Sequence, residues 1–399
     1  MQATTATATA NAWLSARARG LKPSLTLAIA AKAKALKAEG RDICSLSAGE
    51  PDFDTPPFIT QAAAAALAAG QTRYGPAAGE PALRDAIAAK LSHENGVPTQ
   101  SAQVLVTNGG KQALFNLFQV LLQPGDELLL PSPYWLSYPD MAELAGAAVR
   151  LIPSAAADGF RLRPEALEAA ITPASKLLVL NSPSNPTGMV LSRSELDALA
   201  AVLRRHPQLL VVCDEIYEFL VAPGHAHHSL AAVAPDLAER IFIVGGCAKG
   251  WAMTGWRIGW LAGQLDVIKA AAALQSQSTS NVCTFAQYGA LAAVNGPRDC
   301  VQAMAEQFNS RRSRLSERLL AIPALQLQAP QGAFYAFPDV GAYGLDSMSL
   351  CNRLLDEVGL AVVPGVAFGD DRCIRLSCAA SEATIDDGVD RLNRFLQSL

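Results

Sequence analysis

Seven short apolar runs, most of them followed by a cluster of small and polar residues, constrain this chain more than any other feature. They cover residues 104–107, 128–131, 149–153, 177–181, 209–213, 241–244 and 260–262. Most are too short for helices and are bounded by Gly, Pro or Asp, so they read as buried strands. Amphipathic segments lie between several of them. One, over 112–122, carries Leu114, Leu117, Phe118 and Leu121 on a single face. Another starts at Ser192, where Ser192 and Glu195 form a capping-box pattern ahead of Leu196, Leu199 and Leu203. Such alternation predicts an α/β fold, with a mostly parallel seven-stranded sheet covered by helices on both faces.

The texture changes after about residue 284. A long helical stretch over 286–320 is interrupted near Gly296-Pro297, then GAFYAFPDV, AVVPG and CIRLS suggest a small sheet with helices near 349–358 and 381–396. The expected organisation is a large domain over 51–285 and a smaller α+β domain over 286–399. A segment over 1–50, with one helix at 27–39, is expected to pack with the small domain or across a dimer. A chain of 399 residues, half of them apolar and 17% charged, has the core for this. The net charge of −4 and the lack of a basic block argue against nucleic acid. No charge-free stretch of about 18 apolar residues predicts a membrane span. The eight cysteines form no C-x-x-C pair, which points to free thiols in a reducing compartment. The first twenty residues carry Arg17 and Arg19 without an acid, somewhat as a transit peptide does, but lack a signal peptide's apolar core; a frayed extension and a cytoplasmic location are the expectation, with a transit peptide as the alternative. His225, His227 and His228 fall in a Pro-Gly loop and read as a surface loop, not a metal site.

Polar residues cluster just after the strands: Asn108 to Lys111, Pro133 to Trp135, Asn181 to Gly188, Asp214 to Tyr217, and Lys249. Open α/β sheets bind ligands beyond the carboxyl ends of their strands, so five segments converge on one cleft. Lys249 is set in IFIVGGCAKGWAMTGWRIGW, with Arg257 eight residues on. Desolvation and a cationic neighbour lower a lysine pKa from about 10 toward neutral, as Schiff-base chemistry requires, and Arg257 is suited to pairing with a phosphate. Asp214 ends an apolar strand and needs a partner, for which a pyridinium nitrogen is suited; Tyr217, three residues on, faces the same way if a helical turn begins there. Asn108-Gly109-Gly110-Lys111 opens a helix whose N–H groups can approach an anion, and Trp135 offers a flat face for a ring.

Together these residues resemble the class I aminotransferases of pyridoxal-phosphate fold type I, close to the bacterial aspartate and aspartate/prephenate enzymes. The likeness runs from Lys22-Pro23-Ser24 through SLSAGEPDFDTP, RYGPAAGEPALRDAI, NGGKQALFN, SPYWLSYPDM, NSPSNPTG, CDEIYE, AKGWAMTGWRIG, GAFYAFP and IRLS to the C-terminal helix. It implies pyridoxal 5'-phosphate as cofactor, with amino acids and 2-oxo acids as partners. Lys249 is then the Schiff-base lysine, Asp214 the partner of the ring nitrogen, and Tyr217 and Asn185 the partners of the phenolic oxygen. Trp135 stacks on the ring, while Arg257, Gly110 and Lys111 hold the phosphate. Arg375, Asn185, Gly49 and Trp135 contact substrate, and Tyr74 reaches the phosphate from the other subunit of a homodimer. Lys111 and Lys22 are candidates for a substrate's second carboxylate, Lys22 in the setting that prephenate-accepting relatives share. Ala248 departs from the serine of many relatives. An aromatic or branched-chain aminotransferase and a pyridoxal-phosphate lyase remain alternatives; a regulator built on this fold would need a DNA-binding module that is not visible.

Overall fold

The computed structural model describes residues 13–21 and 25–399. Twelve strands occur among them: β1 Cys44–Ser45, β2 Val104–Thr107, β3 Glu127–Ser132, β4 Ala148–Pro153, β5 Ser175–Asn181, β6 Leu210–Asp214, β7 Ile241–Gly246, β8 Gly259–Ala262, β9 Tyr335–Ala336, β10 Leu360–Ala361, β11 Val363–Pro364 and β12 Ile374–Ser377. Seven build one sheet in the order β2-β8-β7-β6-β5-β3-β4. All run parallel except β8, which is antiparallel to both its neighbours. The seven apolar runs are these seven strands, displaced by no more than two residues at any end.

Burial on both faces explains why those runs read as unbroken apolar sequence. Successive residues go to opposite cores: Leu178, Leu180, Val211 and Ile243 join one cluster, and Leu177, Val179, Val212 and Val244 the other. Each such side chain contributes about 1.5–3 kcal/mol by leaving water. The helix Gly110–Leu121 covers one face with Leu114, Leu117 and Phe118. The helix Arg193–Arg205 covers the other, and its capping box is formed: Ser192 N donates to Glu195 Oε2 at 2.8 Å and Glu195 N to Ser192 Oγ at 3.3 Å.

The C-terminal residues form their own core, in which Phe308, Leu315, Leu350, Leu376 and Leu392 meet. It surrounds an antiparallel sheet in the order β11-β12-β9. The predicted interruption near Gly296 separates the helices Thr284–Asn295 and Asp299–Leu320. Near the start of the chain, β1 pairs in parallel with β10, and Ala33 packs on Leu355 and Ala361. No helix among the described residues is long and apolar enough to cross a membrane.

Candidate active site

The carboxyl ends of β2, β3, β5, β6 and β7 open into a cleft of about 1060 Å³, closed on its other side by Ser47, Gly49, Tyr335 and Arg375. Lys249 enters from the helical turn Cys247–Gly250 that follows β7. Its Nζ donates to Gly49 O and lies 5.8 Å from the Tyr217 ring and 5.7 Å from that of Phe334. Burial pushes the ammonium down to about 8; Glu50 opposes this, Arg375 and Arg257 reinforce it, and Asp214 opposes it.

Asp214 closes β6 and is only 5% exposed. Burial lifts its carboxyl to about 6 despite the hydrogen bond from Tyr138 Oη to Oδ2 at 2.7 Å. Its Oδ1 accepts only a long bond from Ile216 N at 3.3 Å, so that oxygen has room for a stronger donor. Asn181 Nδ2 donates to Asp214 O at 2.9 Å and ties the ends of β5 and β6 together. Three residues further, Tyr217 reaches the cleft and its hydroxyl lies 2.9 Å from that of Tyr335.

The turn after β2 forms an anion cradle. Gly109 caps the helix Gly110–Leu121 at φ 79°, where a Cβ would sit 2.5 Å from Arg257 Nη2. A Cβ on Gly259 would likewise strike Gly110 N at 2.5 Å. Two backbones and a guanidinium therefore converge where the free N–H groups of a helix's first turn lie. Arg257 itself takes φ 57°, a left-handed conformation costly for any residue with a Cβ, and donates to Thr254 O at 2.8 Å and Asn108 O at 3.3 Å. Lys111 Nζ stands 4.9 Å over the Trp135 ring. Its pKa is lowered, first by burial and then by Arg257, with Asp140 opposing.

At the far wall Arg375 is 3% exposed. Nη1 donates to Asn185 Oδ1 at 3.0 Å and Nη2 to Ser47 O at 3.1 Å, while the guanidinium lies 4.4 Å over the Tyr335 ring. Its buried Nε has no partner. A buried donor left unmatched costs about 1–3 kcal/mol, which makes it a mark of a site shaped for a ligand.

Lys249, Asp214, Tyr217, Asn185, Trp135, Gly49, Gly110, Lys111, Arg257 and Arg375 all line this one cleft. Tyr74 does not: it is 93% exposed and absent from the cleft walls. Lys22 lies outside the described residues. Tyr138 and Tyr335 went unnoticed in the sequence, although SPYWLSYPDM and GAFYAFP contain them; only contacts across the fold reveal what their hydroxyls touch. The histidine loop needs correction. His225 is exposed, but His227 is half-buried, with Nε2 3.2 Å from Glu215 Oε2, because the loop folds back against the turn after β6.

Known proteins resemble this chain over nearly its whole length. The profile of the family "Aminotransferase class I and II" matches residues 41–392. An aspartate aminotransferase of Geobacillus stearothermophilus is 44% identical over 96% of this chain and 99% of its own. An aspartate/prephenate aminotransferase of Cereibacter sphaeroides is 43% identical, covering 97% of this chain and 100% of its own. Among solved structures, an aspartate aminotransferase from Thermus thermophilus superposes with a TM-score of 0.91 at 45% identity, over 96% of this chain and 99% of that one. A strand-end lysine drawn toward neutrality, a buried aspartate beside it and an arginine at the far wall thus occur in a chain that belongs to the class I and II aminotransferases.

Proposed function

We propose that this aminotransferase moves the amino group of aspartate or glutamate to a 2-oxo acid, with pyridoxal 5'-phosphate as its cofactor. The observation that carries the reading is the pair of cations in one cleft. Arg375 is buried with an unmatched Nε, and Lys111 is held on Trp135. A dicarboxylic amino acid offers one carboxylate to each. The Thermus thermophilus relative was solved with maleate, itself a dicarboxylate.

The residues fit the cofactor. The cradle of Gly110, Lys111 and Arg257 suits its phosphate, and Trp135 suits its ring face. The open Oδ1 of Asp214 suits a protonated ring nitrogen, and Tyr217 with Asn185 suits the phenolic oxygen. When bound, the cofactor supplies a ring that accepts the electron pair released at the amino acid's α carbon. Asp214 holds the ring proton in place. Lys249 anchors the cofactor covalently and, once released, takes the α proton on Nζ and returns it, which a pKa near 8 permits. Arg375 and Asn185 fix the α-carboxylate so that the proton faces Lys249. Gly49 O, already bonded to Lys249, marks where substrate backs onto the lysine.

Tyr74 is assigned to the phosphate of a partner subunit in a homodimer. Its exposure supports this, as does the fixing of its loop by Thr284 Oγ1, which donates to Arg73 O at 2.9 Å. Prephenate is a second acceptor in this reading, with Lys22 as the candidate for its second carboxylate; the Cereibacter sphaeroides relative carries an aspartate/prephenate name. In this reading residues 51–285 are the large domain and 286–399 the small one, with which an N-terminal segment packs, and the enzyme works in the cytoplasm. Steady-state kinetics with aspartate and 2-oxoglutarate test the reading. Parallel double-reciprocal lines and stoichiometric glutamate are expected. A preference for alanine or phenylalanine over aspartate would sink the substrate assignment.

A further inference from the structure

Directly behind the cleft lie four ionisable side chains, none more than 10% exposed, that no step above uses. The turn after β6 divides its residues between two sides. Asp214 and Tyr217 line the cleft. Glu215 and Glu218, each one residue on, pack instead against the helix Pro81–His93 and the loop bearing His227. Lys90 and Glu218 form an ion pair with side chains 2% and 8% exposed. Asn95 completes a fork: its Nδ2 donates to the same Glu218 Oε2 at 2.8 Å, and its Oδ1 accepts from Lys90 Nζ at 2.8 Å. His227 Nε2 lies 3.2 Å from Glu215 Oε2, with side chains 10% and 5% exposed. Lys90 Nζ also lies 5.0 Å over the Phe219 ring in the same turn.

Stability alone does not call for this cluster. Buried ion pairs are often no more stable than apolar side chains of equal volume. Paired charges do supply direction, because a carboxylate held by two donors has a defined position. Here the held carboxylate is next to Tyr217 in the chain, and the second one is next to Asp214. On the same turn, Ile216 packs where a Cβ on Gly246 would meet it at 3.0 Å, so the turn has little room to shift.

We propose that Lys90, Asn95 and Glu218, with the Glu215–His227 pair, are positioning residues that lock the turn 215–219 and so keep Asp214 and Tyr217 in place at the cleft. The proposal rests on the roles given above to Asp214 and Tyr217. It is tested in the full-length, cofactor-loaded enzyme with the paired variant Lys90→Met/Glu218→Leu, which leaves no lone charge, and with the milder Asn95→Ala. Melting temperature, kcat, KM for the amino donor, and the cofactor concentration that half-saturates the stripped chain are measured for each.

The paired variant is expected to lose up to about 100-fold in kcat, the scale of an ångström's misplacement. It should also bind cofactor about tenfold more weakly, while KM changes by less than about threefold because Arg375 and Asn185 belong to other elements. Asn95→Ala should show the same pattern at about threefold, and it decides the matter if the paired variant does not fold. Unchanged kcat and cofactor affinity, whatever the melting temperature, would reduce the cluster to a fold-holding role and overturn the proposal. Asp214→Ala serves as control. If that variant is inactive while the cluster variants behave as wild type, positioning alone fails; wild-type kcat in Asp214→Ala overturns the reading beneath it.

Discussion

The two sides of the turn after β6 handle buried charge in opposite ways. On the cleft side burial prevails over pairing. Burial lifts the Asp214 carboxyl to about 6 and pushes the Lys249 ammonium down to about 8, so the two groups converge on neutral pH. On the far side pairing prevails. Burial alone would raise Glu218, yet Lys90 and His227 carry it below the usual carboxylate range. Burial alone would lower His227, yet Glu215 and Glu218 carry it upward. The groups on the two sides are only a residue apart in the chain. What differs is how much opposite charge each group meets: facing cations and carboxylates hold one another on the far side, while weaker compensation in the cleft leaves groups ready to exchange a proton or accept a ligand.

Removing the least paired group gives the largest expected effect. Lys249→Ala should cut turnover by at least about 10⁴-fold, since general-base catalysis alone contributes up to that much and the covalent anchor is lost as well. It should also abolish the absorbance of the Schiff base between the cofactor and the lysine. A reducible cofactor adduct on another lysine would transfer the role elsewhere. In the wild type, only the neutral amine attacks an aldehyde. Capture of cofactor by the stripped chain should therefore accelerate as pH rises and level off above about 8, where Lys249 is mostly neutral. A midpoint near 10 would mean that burial in the cleft does not act on this lysine.

Asp214→Ala tests the other half of the converging pair. Cofactor should still bind through Lys249 and the phosphate cradle, but kcat should fall by about 100- to 1,000-fold, the range seen when one preorganised electrostatic partner is removed. Loss limited to cofactor affinity, with kcat intact, would make Asp214 an anchor only.

The two sides of the turn also differ in how far they could be read from sequence. The strands were legible because burial on both faces leaves runs such as LLVVC with no polar interruption. Lys249 and Asp214 stood out because they end such runs, and the motif likeness then suggested their partners. Nothing local marks Tyr138 as the donor to Asp214, since 76 positions separate them. The Lys90–Glu218 pair spans 128 positions. His227 misled the sequence reading for the same reason: a Pro-Gly loop looks exposed until the chain's return path puts one of its imidazoles on Glu215. Periodicity records which face a residue takes, but not which distant group waits on that face.

The smallest effect is the most informative about substrate, because it separates the two cations of the cleft. In the proposed reading Arg375 meets a carboxylate that every amino acid presents, so Arg375→Ala should harm aspartate, alanine and phenylalanine alike. Lys111 can serve only a second carboxylate if its side chain faces substrate, and its place over Trp135 is consistent with that. A charged hydrogen bond in a water-poor cleft is worth about 1.5–3 kcal/mol, or about 10- to 150-fold in kcat/KM. Lys111→Ala should therefore lower kcat/KM for aspartate by that factor and leave alanine and phenylalanine within about threefold. Arg257, which helps lower the Lys111 pKa, shows how close the phosphate cradle lies, and this supplies the competing outcome. If Lys111→Ala weakens cofactor binding and lowers all three donors equally, the lysine belongs to the phosphate. The dicarboxylate preference must then come from a residue outside this cleft wall.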